Sequence, residues 1–392
     1  MLIGIVGKPN CGKSTFFKAL TLSEVKIANY PFATIKPNQG MGHVKIKDVA
    51  KEFDKTANPR EGFVLKNYRF VPVELLDVAG LVPGAHEGKG LGNQFLDDLN
   101  QADALIHVID ISGGTNEKGE PLSKKDYDPS KDVKFLEFEL DQWYLRIIKK
   151  GWPKFTRSLV HQKEIAKAVA KQLSGLKVTE GMVKDSIKNF DQDITKWNEK
   201  ILNELATSLR ILSKPIIIAA NKMDIEGSKK NLERLKKEFP NYKIIPCSAE
   251  SELALKEAHE NELIDYLPGE NNFKIKKDLE ANKKNALNFV REKILEKYNS
   301  TGLQEIVNTV IFDILNYIAI HPGGVSKLED SKGNVIPDCF LMLKGSTAID
   351  FAYRLHTDIG DGFIKAINVR TKEVIGRERE LKNLDIIEIK TK

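Results

Sequence analysis

Gly7-Lys8-Pro9-Asn10-Cys11-Gly12-Lys13-Ser14 follows the apolar run LIGIV at 2–6 and precedes Phe16-Phe17-Lys18-Ala19-Leu20, a helical pattern. The octet fits G-x-x-x-x-G-K-[ST], and a strand before it with a helix after it is the context that this spacing needs. Glycines let backbone N–H groups wrap a phosphate, with the N-terminus of the helix behind it. In such a loop Lys13 neutralises β- and γ-phosphate oxygens. The Ser14 hydroxyl, followed by Thr15, ligates Mg²⁺.

Outward from this loop, near-continuous apolar runs recur: VPVELLDV at 71–78, ALIHVIDI at 104–111, PIIIAA at 215–220 and KIIPC at 243–247. Each has the length of a strand buried on both faces, and helical patterns between several of them indicate a wound α/β domain. Short polar motifs sit where the runs end. Asp77-Val78-Ala79-Gly80 closes one; its carboxylate suits Mg²⁺ through water, and the Gly80 N–H suits a γ-phosphate. Asn221-Lys222-Met223-Asp224 follows another. The Asp224 carboxylate can accept two N–H groups from a guanine edge, a donor pair adenine lacks, while Asn221 ties this segment to the phosphate loop. Ser248-Ala249 follows the last and offers a backbone N–H to the guanine oxygen.

Composition narrows the class. The chain has 392 residues, 41% hydrophobic and 30% charged, which excludes wholesale disorder, a collagen and a disulfide scaffold. No run of 18 apolar residues occurs, and MLIGIVGKPN lacks the basic start of a signal peptide, so the expectation is a cytoplasmic protein with no membrane partner. Cys11, Cys247 and Cys339 share no metal-ligand spacing and read as free thiols in packed sites.

Between 115 and 212 the strand rhythm breaks. Val133, Leu136, Leu140, Trp143 and Ile147 step by three and four, and Ile194, Trp197, Ile201, Leu205, Leu209 and Leu212 repeat the pattern. This predicts a helical insertion, an antiparallel hairpin of long helices. The net charge of +6 concentrates there: 143–188 holds eleven Lys/Arg against three Asp/Glu. Such a stretch suits either an anionic partner or a solvated helix face. Residues 278–316 read as helices, and 317–392 as a small β-rich domain with turn signals such as Lys332-Gly333-Asn334. The expected division is 1–114 and 213–316 for the nucleotide domain with its connecting helices, 115–212 for the insertion, and 317–392 for the C-terminal domain. With twelve Lys/Arg against eleven Asp/Glu, that last domain has no strong electrostatic claim on RNA. No DNA specificity is evident, and the oligomeric state stays open, a monomer included.

The sequence resembles the Obg branch of the translation-factor-type P-loop GTPases. NYPFATIKPNQG at 29–40 looks like its switch I, with Thr34 matching the threonine that ligates Mg²⁺ in the triphosphate state. DVAGLVPGAHEGKGLGNQFL at 77–96 looks like its glycine-rich switch II. The insertion after ALIHVIDISGG and the stretch KGSTAIDFAYRLHTDIGDGF at 344–363 narrow the resemblance to YchF-related proteins of the archaeal and eukaryotic type. That stretch is the signature of a TGS domain, a β-grasp module also found in threonyl-tRNA synthetase. The resemblance implies a mostly parallel doubly wound sheet, GTP/GDP with Mg²⁺, catalytic roles for Lys13, Thr34 and Gly80, and a ribosome or other RNA-containing partner. It implies a nucleotide pocket of residues 7–15 with Asn221, Lys222, Asp224, Ser248 and Ala249.

Two departures matter. Well-known YchF proteins carry N-x-x-E and prefer adenine nucleotides; Asp224 restores the guanine reader, leaving a YchF-type ATP hydrolase as the alternative. Ras-type enzymes place a water-orienting Gln directly after D-x-x-G, where this chain has Leu81. Intrinsic turnover is therefore expected to be slow, and a nucleotide-gated scaffold with negligible turnover is a further alternative. Asn10 matches the asparagine that holds K⁺ in related potassium-stimulated GTPases, a cation that would stand in for an arginine finger. Its other reading is an asparagine suited to the loop's backbone angles. His86 in switch II reads as a surface histidine and His107 as a core one.

Overall fold

The computed structural model describes residues 1–22, 38–78, 98–158, 162–191 and 193–392. Thr34, Gly80, Leu81 and His86 lie outside the described residues, as does the side chain of Lys163.

Strands β1 (Leu2–Val6), β2 (Gln39–Lys47), β3 (Phe63–Leu65), β4 (Tyr68–Asp77), β5 (Ala104–Asp110), β6 (Ile216–Asn221) and β7 (Lys243–Pro246) form a seven-stranded sheet in the order β2-β4-β1-β5-β6-β7, with β3 on β4. From β4 to β7 the pairing is parallel, and β3 is antiparallel to β4. β1, β5 and β6 are buried at every position, which is why they read as unbroken apolar runs. β1 pairs with β4 on one side and β5 on the other. The order reverses there, and open α/β sheets leave their ligand crevice beyond the strand ends at such a point.

Helix α1 (Lys13–Thr21) follows β1. Between β5 and β6 stand α2 (Ser130–Ser158), α3 (Gln162–Gln172), α4 (Glu180–Ile187) and α5 (Glu199–Ser213). Among the described residues the helical insertion holds one 29-residue helix and three shorter α-helices. α2 continues through Pro153. α4 and α5 start afresh on side-chain caps, Thr179 accepting from Met182 N and Asn198 from Ile201 N. Tyr144, Ile148, Leu205 and Leu209 share one core with Leu2, Val6 and Leu105 of the sheet, so the insertion is continuous with the sheet's apolar face. Trp152 stacks on Trp197 at 5.4 Å. After β6 come α6 (Ser228–Glu238), α7 (Ala249–Glu260), the hairpin of β8 (Ile264–Tyr266) and β9 (Phe273–Ile275), and α8 (Ala281–Val290).

The chain folds as two compact units. One takes β1, β5, β6, β7 and the C-terminal end of β4 with the insertion, up to Ile306; the other joins 42–73, which carries β3 and most of β2 and β4, to 307–392. In the second unit β10 (Tyr317–Pro322), β11 (Phe340–Leu343), β12 (Phe363–Asn368), β13 (Val374–Ile375) and β14 (Ile386–Thr391) form a sheet in the order β11-β10-β14-β12-β13, with α9 (Ala348–Leu355) packed on it through Ala348 and Phe351. Residues 42–73 belong here for a physical reason. Val49, Ala50 and Ala57 share a core with Leu328, Ile336, Val369 and Ile386. The buried Arg69 donates to the carbonyls of Ile336 and Pro337 at 2.7 Å each. Arg60 pairs with Asp330 at 2.8 Å and Asp338 at 2.7 Å. Among the described residues no helix is long and apolar enough to cross a membrane.

Candidate nucleotide site

The loop from Gly7 to Gly12 leaves the C-terminal end of β1 and feeds α1. A Cβ on Gly7 would lie 2.5 Å from the Val108 carbonyl oxygen and 2.7 Å from Cys11 Sγ. Gly12 holds φ +93, and a Cβ there would lie 2.2 Å from Asn221 Nδ2. Both glycines are therefore fixed by close approach, the second also by its left-handed backbone. No side chain caps α1 and no acidic residue stands in its first turn, so its N-terminal N–H groups suit an anion. Lys13 forms an ion pair with Asp77, at the end of β4. Ser14 is exposed beside Lys13. A backbone cradle with an ammonium, a hydroxyl and a carboxylate at one strand end fits a nucleotide triphosphate with Mg²⁺: Lys13 would take the phosphate charge, and Ser14 and Asp77 the cation.

The second half of the site gathers on β6 and β7. Asn221 Nδ2 donates to the Cys11 carbonyl at 3.0 Å, and its Oδ1 accepts from Ala249 N at 3.0 Å. One carboxamide thus links the phosphate loop, the end of β6 and the start of α7. Lys222, at φ 68, donates to the Asn10 carbonyl at 2.8 Å and to Asp110 at 2.9 Å. Ser248 Oγ lies 2.8 Å from Asp224 Oδ1 while capping α7, which fixes the carboxylate expected to read the base. Burial would raise the Asp110 carboxyl, but hydrogen bonds from Ser112, Lys222 and Thr115 hold it below the usual carboxylate range. Burial pushes the Cys11 thiol up to about 11, so it stays protonated and packed. His107 is buried in β5, and burial with the nearby Lys8 charge lowers it to about 3.

Some contacts had no sequence signal. Asn10 takes φ 59, and its side-chain amide donates to the Gly119 carbonyl at 2.9 Å; both features serve the loop's own conformation. Lys8 is buried against Asp132, far along the chain in the first turn of α2. Lys167 and Lys171 are exposed on α3. In the second unit the 344–363 signature resolves into packing. Thr347 and Asp350 form a capping box on α9, and His356 accepts from Asp358 N at 3.2 Å as the cap of the following turn. A Cβ on Gly360 would meet the Tyr353 ring at 2.2 Å.

Known proteins are similar to this chain along its length. Residues 2–142 match the model of the 50S ribosome-binding GTPase family, 219–324 that of the Obg-like GTPase YGR210-like, G4 motif-containing domain, and 332–391 that of the TGS domain. An uncharacterized GTP-binding protein of Methanocaldococcus jannaschii is 48% identical over 391 residues, covering 99% of this chain and 98% of that protein. The ribosome-binding ATPase YchF of Bacillus subtilis is 30% identical over 382 residues, covering 95% and 89%. The crystal structure of a GTP-binding protein from Pyrococcus horikoshii superposes over all of both chains with a TM-score of 0.78 at 37% identity. A phosphate loop at the sheet's switch point, an asparagine tying it to the base-side segments and a C-terminal TGS domain therefore come with end-to-end likeness, and the chain belongs to the YchF-related Obg-type P-loop GTPases.

Proposed function

We propose that this protein prefers GTP to ATP, hydrolyses it slowly, and uses the two nucleotide states to regulate binding to a ribosome or another RNA-containing assembly. The observation that carries the base preference is Asp224, held by Ser248 at 2.8 Å beside the Asn221 link. A carboxylate fixed there accepts the two guanine N–H groups, whereas the YchF pattern has glutamate. Slow turnover rests on Leu81 in the place of a water-orienting side chain. Thr34 and Gly80 complete the proposed Mg²⁺ and γ-phosphate contacts. The partner reading rests on the likeness to the ribosome-binding ATPase YchF of B. subtilis and on the basic stretch of the insertion.

Competition of GTP and ATP for the purified protein tests the base. GTP should win by at least tenfold; equal affinity refutes the assignment. Single-turnover hydrolysis in K⁺ and in Na⁺ tests Asn10 as a cation ligand: stimulation in K⁺ supports it, and equal rates remove K⁺ from the mechanism.

A further inference from the structure

Phosphate loops need their glycines, lysine and serine for the ligand, but nothing in phosphate binding calls for a cation at the loop's second residue. Lys8 is 4% exposed. Its ammonium lies 2.9 Å from Asp132 Oδ2, 3.0 Å from the Thr115 carbonyl and 3.8 Å from the centroid of the Tyr127 ring. Tyr127 donates its hydroxyl to the other Asp132 oxygen at 2.7 Å. The next two loop residues touch the same segment. Gly119, at φ +81, has its Cβ position 2.4 Å from the Pro9 carbonyl oxygen, so its backbone rests on the loop as no other residue's could. Asn10 donates to the Gly119 carbonyl. Residues 115–132 are the root from which α2 rises, and Lys222 and Asn221 hold the Asn10 and Cys11 carbonyls of the same loop.

A buried ion pair is a weak source of stability, but breaking one member leaves an uncompensated charge that the surroundings must rearrange to solvate. Here the rearranging part is the phosphate loop. We propose that Lys8, Tyr127 and Asp132 form a positioning unit that holds residues 8–10 of the phosphate loop to the root of the helical insertion and thereby sets the rate at which nucleotide leaves. The insertion is then the handle through which a bound partner loosens the nucleotide. The proposal rests on nucleotide occupying this loop, as above, and not on which base it carries.

The test is dissociation of a fluorescent GDP from the full-length protein by stopped flow, with Lys8→Met, Asp132→Asn, their double variant, and Tyr127→Phe. Each of the first two should speed dissociation about tenfold, because effects of loop contacts fall mainly on the off-rate. The double variant, which restores neutrality, should be no faster than the faster single. Tyr127→Phe keeps the ring beside the ammonium and should act more weakly. As a control, Arg210→Met breaks the 2.9 Å pair with Asp141 inside the insertion; it should lower the melting temperature and leave the off-rate unchanged. Off-rates within twofold of wild type for Lys8→Met and Asp132→Asn, additive effects in the double variant, or equal acceleration by Arg210→Met would each overturn the proposal. Where Lys8→Met does not fold, Asp132→Asn carries the test. A wrong base assignment shows separately, as wild-type protein that retains the ADP analogue better than the GDP one; the variant-to-wild-type ratio is then read with ADP.

Discussion

Asp224 is one carboxylate among many, yet its partner singles it out. Replacing it with Asn keeps the shape and removes the second acceptor. Asp224→Asn should weaken GTP binding by about 2–4 kcal/mol and favour xanthine nucleotide, whose edge offers an acceptor where guanine has a donor; titration with GTP and XTP measures both. Ser248→Ala frees the same carboxylate from its 2.8 Å contact and should cost less, about 1 kcal/mol, with no change of base preference. Lys13→Ala should abolish hydrolysis and weaken triphosphate binding more than diphosphate binding, which parallel titrations of the two nucleotides would show. At this scale the sequence was legible wherever a motif fixes both partners. The spacing of Asn221 after its strand sufficed to expect the link to the phosphate loop. Asp132 and Gly119 carried no such signal, because a contact between a loop and a distant helix root depends on how β5 continues, and no local pattern encodes that.

The elements carry their own test. The exposed Lys167 and Lys171 stand one turn apart on α3, and Lys163 precedes them by the same spacing. If the insertion contacts RNA phosphates, ribosome co-sedimentation should fall steeply with salt. Changing all three to Glu should remove much of it while leaving GTP affinity intact. Wild-type-like co-sedimentation of the triple variant across the salt range would exclude this face. β1, β5 and β6 were readable because burial on both sides writes an unbroken apolar run, and β4 and β7 keep most of one despite exposed Glu74 and Lys243. β2 escaped notice: Gly40 and Gly42 interrupt QGMGHVKIK, so its pattern is only half a strand's. The insertion's apolar period was visible, but its division was not. Proline inside α2 reads as a break, yet the helix passes through Pro153, since packing on both sides of the site outweighs one lost hydrogen bond.

At the level of the molecule, His107 in the first unit and His321 in the second are fully enclosed and lowered to about 3, chiefly by burial, with Lys8 and Arg69 as the respective nearby cations. An unfolded chain takes up these protons near pH 6.5, and the folded one does not. Their contribution is thus present above pH 6.5 and declines as pH falls toward 3. Between pH 6.5 and 5 each should cost about 2 kcal/mol, so denaturant unfolding should show a clear loss at pH 5, and His321→Gln should flatten the part belonging to the second unit. Residues 42–73 join the second unit because Val49, Ala50, Ala57 and Arg69 have partners that begin at Leu328, a pairing across about 270 residues that no local pattern announces. That interleaving has a consequence for the order of synthesis. Residues 42–73 leave the ribosome early, while the surfaces that cover them are made last. The nascent chain must carry an open apolar patch and an arginine without its carbonyl partners for most of translation. A chain stopped after Asn316 should stay in that condition permanently: it should bind a hydrophobic dye and sediment as aggregate, where a self-contained N-terminal domain would stay soluble and monomeric.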